Sequence, residues 1–358
     1  MKSATEQLRD MPSARCAGRR PGITSVCSAH PVVIKAALHH GLARGGPVLI
    51  EATCNQVNQD GGYTGMAPDG FRRFVEDIAA AVGFPPERLL LGGDHLGPNP
   101  WAALPAQEAM GRAVAMIEAY AAAGFTKLHL DASMSCADDP VPLPDEVIAA
   151  RAAELAATAE MAVRKAGGEP PVYIIGTEVP VPGGAFEAMD HLHVTTPEDA
   201  LRTAEIHRKA FRARGLEAAF ERTIGMVVQP GVEFGNTDVI EYEPRKAAGL
   251  STALRQMPQF VFEAHSTDYQ SAIALRHLVS DGFAILKVGP WLTFALREAL
   301  YGLDCIARII APDKRREDLP ASMDELMTAS PGYWKKYYPG AAADQYFQRH
   351  FSYSDRIR

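Results

Sequence analysis

Leu89-Leu90-Leu91-Gly92-Gly93-Asp94-His95-Leu96-Gly97-Pro98-Asn99-Pro100-Trp101 is an aliphatic run that stops on two glycines and then sets an acid beside an imidazole. A short apolar run bounded by glycine and proline reads as a strand covered on both faces, as in a parallel sheet. Adjacent strand residues point to opposite faces. Asp94 and His95 can therefore serve one site only if the chain leaves strand geometry there, and Gly92-Gly93 permit that. The following "PAQEAMGRAVAMIEAYAAAG" (105–124) carries its apolar residues at helical spacing. The unit is a strand, a polar strand end and a helix.

The same unit recurs on both sides. Upstream, "GITSVCSA" (22–29) precedes the helical "PVVIKAALHHGLARG" (31–45), and "PVLIEATC" (47–54) precedes a helix over 68–83. Downstream, "KLHLDAS" (127–133) leads to a long helix over 143–168. "PVYIIGTEVP" (171–180) leads to a helix opening at Thr196-Pro197-Glu198-Asp199, a helix start, and ending on Gly215. "IGMVVQPGVEF" (224–234), "QFVFEAHSTD" (259–268) and "FAILKVGP" (283–290) are each followed by a helical pattern. Eight such units predict a (β/α)8 TIM barrel over 21–312, with an open doubly wound sheet as the alternative. No GxGxxG opens a helix after a strand and there is no P-loop, so no dinucleotide fold is called for. Residues 1–20 read as a loose polar arm. Residues 313–358 read as an extension with aromatic clusters, "PGYWKKYYPG" and "DQYFQRHFSYS", packing as short helices on the barrel or against a partner.

Composition narrows the function classes. Of 358 residues, 47% are hydrophobic and 22% charged, as in a globular chain with a large core. The net charge of -7 leaves no basic footprint for nucleic acid. No apolar run is long enough for a membrane span and no signal-peptide pattern opens the chain, so a cytoplasmic protein is expected. The five cysteines (Cys16, Cys27, Cys54, Cys136, Cys305) are scattered, without the spacing of a zinc ribbon, and read as reduced thiols.

In a barrel, chemistry collects at the C-terminal ends of the strands. Those ends carry Cys27, Ser28 and His30; Glu51, Asn55 and Gln56; Asp94, His95 and Asn99; His129, Asp131 and Ser133; Thr177 and Glu178; Gln229 and Glu233; Glu263, His265, Ser266 and Asp268; Lys287 and Gly289. A packing layer would hold branched aliphatics instead. His129 sits between two leucines, which leaves a core histidine and a site residue both open; Glu51 and Gln229 are equally open to a structural reading. Converging histidines and acids fit two chemistries. One is a divalent metal held by imidazole and carboxylate, which polarises a ketone or chelates a hydroxy-ketone. The other is metal-free acid–base work by carboxylates. A Schiff base needs a barrel lysine, and the strands offer only Lys127 and Lys287. Gly289-Pro290 beyond Lys287 reads as a backbone cradle for phosphate, with "HSTD" on the preceding strand end.

The segments "SVCSAHP", "LIEATCNQVNQDGGYTGM", "GGDHLGPN", "HLDASMSCADDP", "IGTEVPVPGG", "VVQPGVEF", "EAHSTDYQ" and "FAILKVGPWLTFALREALYGL" resemble the Z-type subunit family of class II D-tagatose-1,6-bisphosphate aldolase. The resemblance runs from about Gly22 to the C-terminus, where the chain ends earlier than the family pattern. It implies a class II aldolase-like barrel in galactitol, N-acetylgalactosamine or tagatose catabolism, oligomeric, supporting a catalytic Y-type subunit. It implies a ketose or ketose phosphate of the tagatose or fructose type as ligand. It also implies a divalent metal, zinc by expectation, with manganese or another ion open. Related enzymes epimerise ketoses at C4, so a self-sufficient aldolase or C4-epimerase acting by retro-aldol chemistry is the alternative. Some members carry a tagatose-6-phosphate kinase label, but no kinase motif set is present.

Set beside catalytic class II aldolases, "GGDHLGP" matches the segment with the catalytic acid and one metal histidine, Asp94 and His95. "EAHST" matches another metal histidine, His265. The third falls at Gly176-Thr177-Glu178-Val179, where Glu178 is the nearest donor. The resemblance thus implies His95, Glu178 and His265 as metal ligands and Asp94, Asp131 and Glu178 as catalytic acids. Glu51, Asn55, Gln56, Asn99, Ser133, Gln229, Ser266, Asp268, Lys287 and Gly289 are the expected substrate contacts.

Overall fold

The computed structural model describes residues 2–176, 192–311, 313 and 318–356. Eight parallel strands close into a barrel: β1 (Ile23–Cys27), β2 (Val48–Thr53), β3 (Leu89–Leu96), β4 (Lys127–Leu130), β5 (Val172–Gly176), β6 (Thr223–Val227), β7 (Val261–Ala264) and β8 (Phe283–Val288). Neighbours in sequence are neighbours in the sheet, and β8 closes onto β1 with Ser25 opposite Lys287. Helices fill the outer ring, from Pro31–Arg44 after β1 to Pro290–Ile310 after β8. Their limits follow local chemistry. Thr196 and Ser271 accept the N–H groups of Asp199 and Ala274, and Gly45 and Gly167 end their helices in the left-handed conformation.

The barrel interior is layered by strand parity. The lowest layer is aliphatic: Leu49, Leu90, Val172, Ile174, Ile224, Val261 and Ile285 are buried together. Ala4, Leu8 and Met11 belong to the same cluster, because the first residues form two helices, Ala4–Arg9 and Met11–Cys16, that plug this end. The expected loose arm is therefore folded. The missed signal was Ser3-Ala4-Thr5-Glu6, a capping box in which Ser3 Oγ accepts Glu6 N–H and Glu6 accepts Ser3 N–H. Two residues higher along the strands, the layer becomes ionic. Lys127 Nζ lies 2.7 Å from Glu51 and 2.8 Å from Glu263, two buried ion pairs. Lys287 closes the layer against Glu51.

A short antiparallel pair, Glu233–Phe234 with Val239–Ile240, interrupts the sixth unit. The C-terminal extension contributes the helices Leu319–Ala329 and Ala342–Phe351, joined by a cluster of Met327, Trp334 and Tyr338. It lies over the strand-end face of the barrel, where Leu326, Met327, Tyr333, Asp355 and Arg356 reach the wall of the main cavity. Among the described residues, no helix is long and apolar enough to cross a membrane.

Candidate metal centre

The third layer stands at the strand ends, two residues above the ionic one. Asp94 of β3, His129 of β4 and His265 beyond β7 continue the inward parity of Gly92, Lys127 and Glu263. His95 is out of parity, and the chain corrects it. His95 adopts φ 49°, and the pairing of β3 with β4 shifts register between Gly93 and Leu96. Adjacent residues thereby face one point. The conformational cost falls on His95 itself. Gly92 and Gly93 serve close approach: a Cβ on Gly92 would stand 2.5 Å from Glu51 Oε1, and one on Gly93 2.6 Å from Leu96.

The three imidazole rings meet closely, His265 edge to face with both others and His95 tilted against His129. Centroids lie 4.8 Å apart for His95 and His265, 5.1 Å for His95 and His129, and 5.3 Å for His129 and His265. One donor atom from each, with one from Asp94, lie within 4.8 Å of one another. An ion with bonds of about 2.0–2.2 Å can draw such a set together.

The outer contacts decide which nitrogens face inward. His95 Nδ1 is 2.9 Å from Asp131 Oδ2, and Asp131 is held in turn by the Ser133 hydroxyl at 2.6 Å and the Ser133 N–H at 3.1 Å. His265 Nε2 is 3.0 Å from Glu263 Oε1, which belongs to the ionic layer below. The other ring nitrogen of His95, Nε2, lies 3.5 Å from Asp94 Oδ2. A carboxylate behind a metal-binding histidine fixes its tautomer and raises its basicity. His129 Nε2 donates to the Gly176 carbonyl at 3.0 Å. Its Nδ1 lies 3.0 Å from Asp94 Oδ1 and also accepts the His95 backbone N–H at 3.3 Å. A bare nitrogen lone pair and a carboxylate oxygen repel at that distance, so a cation or a proton belongs between them. The residues present thus fit a metal ion.

Burial would raise the Asp94 pKa, but His95, Lys287 and His129 outweigh it and hold the carboxyl well below its usual range. Asp131 is lowered in the same way, burial being outweighed by its hydrogen bond to His95. Burial would lower Lys287, yet Asp94, Cys27 and Glu51 raise it well above an ordinary lysine. Asp94, Asp131 and Lys287 are therefore all charged at neutral pH. Cys27, pushed up by burial, is a neutral thiol 3.6 Å from Asp94 Oδ2.

A cavity of about 550 Å³ opens above this cluster. Of the expected site residues, Asn55, Gln56, Asp94, His95, Asn99, His265, Ser266, Asp268, Lys287 and Gly289 line it. Four do not, and each has a structural partner. Glu51 lies wholly buried beneath, between the two lysines. Asp131 and Ser133 stand behind His95. Gln229 folds back, its Oε1 accepting the N–H groups of Gly231 and Val232. Glu178 and Thr177 lie outside the described residues. The third imidazole of the cluster is His129, the residue the sequence left undecided, from the neighbouring strand. The expected cradle at Gly289 is occupied: Asp268 Oδ1 accepts from Gly289 N–H at 3.0 Å and from Trp291 N–H at 2.8 Å. Sequence reasoning missed the wall contributed by the C-terminal extension, since no local pattern says where a tail packs.

Comparison with known proteins now bears on this site. Residues 8–358 match the model of the family described as D-tagatose-1,6-bisphosphate aldolase subunit GatZ/KbaZ-like. A D-tagatose 6-phosphate 4-epimerase of Agrobacterium fabrum is 54% identical over 354 residues, spanning 99% of this chain and 83% of its own length. The D-tagatose-1,6-bisphosphate aldolase subunit GatZ of Salmonella dublin is 54% identical over 352 residues, spanning 98% of this chain and 83% of its own length. A crystal structure from Sinorhizobium meliloti, described as a probable tagatose 6 phosphate kinase, superposes with a TM-score of 0.87 at 60% identity, covering 94% of this chain and 82% of that one. A fructose-bisphosphate aldolase of Campylobacter jejuni shares the fold, with a TM-score of 0.55 at 16% identity over 87% of this chain and 83% of that one.

Proposed function

From the premise that this chain belongs to the D-tagatose-1,6-bisphosphate aldolase subunit GatZ/KbaZ-like family, we propose that it is the Z-type subunit of such an aldolase, acting in the cytoplasm with a catalytic Y-type subunit. It carries a divalent-metal site of its own that binds a ketose phosphate of the tagatose type. The observation that carries the metal site is the meeting of His95, His129, His265 and Asp94 within 4.8 Å at the floor of the cavity. The three imidazoles are a donor set suited to zinc with a position left open for substrate, and Asp94 stands beside them as the carboxylate free for proton transfer.

The chain's own residues divide the work. Asp131 and Glu263 aim His95 and His265. A bound divalent ion supplies polarisation of the ketose carbonyl and stabilises negative charge developing on it. Asp94 is the ionised carboxylate on the cavity wall, and its Oδ2 lies 2.7 Å from Lys287 Nζ. In a retro-aldol step Asp94 takes the proton of the C4 hydroxyl as the C3–C4 bond breaks. C4 leaves as an aldehyde and the bonding pair stays on C3; return of the proton completes the reverse step. Asp131 is a positioning residue in this account, since it reaches the cavity only through His95.

A second reading is a ketose-phosphate C4-epimerase working alone. The epimerase of Agrobacterium fabrum favours it, being as similar to this chain as the aldolase subunit is. The chemistry is the same cleavage, with the aldehyde re-added on its other face.

Elemental analysis of the purified chain, with His95→Ala and His265→Ala beside it, tests the metal. About one ion per chain, lost in both variants, is expected; unchanged metal content in the variants refutes the site. Assays with D-tagatose 1,6-bisphosphate, with and without a Y-type subunit, and with D-tagatose 6-phosphate alone, then separate the two readings. Aldol cleavage only in the presence of the partner supports the subunit. Interconversion of D-tagatose 6-phosphate with its C4 epimer by the chain alone supports the epimerase and overturns the accessory role.

A further inference from the structure

A lysine is rarely buried unless it is paired, and both strand lysines of this barrel lie between carboxylates. Lys127 is shut in beneath the cavity, whereas Lys287 reaches the cavity wall. Lys287 Nζ pairs with Glu51 Oε2 below it and lies 2.7 Å from Asp94 Oδ2. The Cys27 sulfur lies against the same ammonium and 3.6 Å from Asp94 Oδ2. Three ammonium protons thus meet three acceptors. An amine held protonated by two carboxylates offers no electron pair, so Lys287 is not a Schiff-base nucleophile.

Cys27, Glu51 and Asp94 each turn a donor atom to this point, and the three atoms lie within 4.8 Å of one another, the spacing of a cation site. The lysine puts a charge of the chain's own beside them. Both ends of that charge are fixed. Lys287 stands in register with Ser25 of β1, and Glu51 is pinned in turn by Lys127 at 2.7 Å. Asp94 is the more adjustable partner. Its Oδ1 lies 3.0 Å from His129 Nδ1, and its Oδ2 lies 3.5 Å from His95 Nε2. Lys287, at 2.7 Å, is closer to Oδ2 than either His95 or Cys27. The ammonium therefore sets where this carboxylate stands, and a charged pair that short holds it firmly.

We propose that Lys287 is the positioning residue of Asp94: its ammonium fills the cation place formed with Cys27 and Glu51 and holds the carboxylate where it takes the C4 hydroxyl proton. The inference rests on the reading of Asp94 as the base of the retro-aldol step. Asp94 carries the proton from the hydroxyl and back, and Lys287 stays protonated throughout. Lys287, expected from the sequence as a substrate contact, then acts through Asp94 and leaves sugar binding to the rest of the cavity wall.

Lys287→Met, Lys287→Gln and Lys287→Arg, as zinc-loaded full chains, test it beside wild type and Asp94→Asn. Glu51 keeps Lys127 in all of them, and glutamine, which still donates to Glu51, stands in should methionine prevent folding. Turnover is read as interconversion of D-tagatose 6-phosphate with its C4 epimer, or as cleavage of D-tagatose 1,6-bisphosphate beside a Y-type subunit. Loss of a positioning contact predicts a fall in kcat of about a hundredfold in the neutral variants, with KM unchanged. Their metal content and calorimetric affinity for D-tagatose 6-phosphate should match wild type. Lys287→Arg, which keeps a cation beside Asp94, should recover most of kcat. The proposal is overturned if the neutral variants turn over like wild type, if they bind the sugar more weakly, which makes Lys287 a substrate contact, or if they lose metal, which makes it a support of the imidazoles. An arginine variant no better than the neutral ones overturns it too. A wild type that turns over neither substrate, or an Asp94→Asn variant as active as wild type, brings down the retro-aldol reading itself; the other failures bring down only the role of Lys287.

Discussion

Lys127→Met tests the ionic layer that carries the metal centre. Lys127, Glu51 and Glu263 are all fully buried, and the ammonium lies 2.7 and 2.8 Å from the two carboxylates. Methionine keeps most of the stem but removes the charge. Glu51 retains its contact with Lys287, whereas Glu263 retains its hydrogen-bond partner His265 and the more distant charge of Lys287. Uncovering a buried charge by deleting its partner costs about 3–5 kcal/mol. In wild type, burial would raise the Glu263 pKa, but Lys127 and His265 outweigh burial and lower it. Its contribution to stability is then present at neutral pH and lost as pH falls past the unfolded value of about 4.3. In the variant, burial acts on Glu263 with less opposition and raises its pKa, so the penalty is relieved as pH falls. The gap between wild type and variant should be widest at pH 7 and narrow toward pH 4.5. Because Glu263 aims His265, metal affinity should also drop by about 10–100-fold, although Lys127 touches no ligand of the centre. Urea unfolding of the metal-free forms across this pH range, with metal titration of the folded forms, gives both numbers. A variant within about 1 kcal/mol of wild type at pH 7, or a gap that widens on acidification, refutes the reasoning.

Three further outcomes follow from single contacts. Gly97→Ala places a Cβ 1.7 Å from the Asp131 carbonyl oxygen. It should destabilise the chain by about 3 kcal/mol or more and, by moving Asp131 off His95, lower metal content; unfolding and elemental analysis check the two effects together. Leu8→Ala, in the helical plug beneath the barrel, should cost about 2–5 kcal/mol in chemical denaturation, where a loose arm would show no change. His207 is buried with Nδ1 2.9 Å from the Thr203 carbonyl, and burial lowers its pKa. Its folded form resists protonation, so stability should decline as pH falls below about 6.5. His207→Gln should flatten that slope in unfolding curves taken between pH 7 and 5.5.

The sequence by itself determined the barrel. Apolar runs and helical spacing are local signals, and eight repeats of one unit leave little choice of topology. It also determined that the strand ends carry the chemistry, because Asp94, His95 and His265 stand where aliphatic residues would otherwise pack. The parity conflict of two adjacent site residues was legible too, although the chain resolves it at His95 rather than at the glycines before it. Tertiary structure decided the rest. His129 is a core histidine by its leucine neighbours and joins the cluster only because β4 lies beside β3. Glu51 and Gln229, expected as substrate contacts, and Asp131, expected as a catalytic acid, lie beneath or behind the cavity, held by Lys127 and Lys287, by Gly231 and Val232, and by His95. Asp268 takes the helix start that reads, from Gly289-Pro290, as a cradle for phosphate. Arg356 reaches the cavity from more than sixty residues beyond β8. Hydrophobic period is set by neighbours in sequence, whereas the partner of a buried charge is set by whatever the closed sheet and the returning chain bring within about 3 Å.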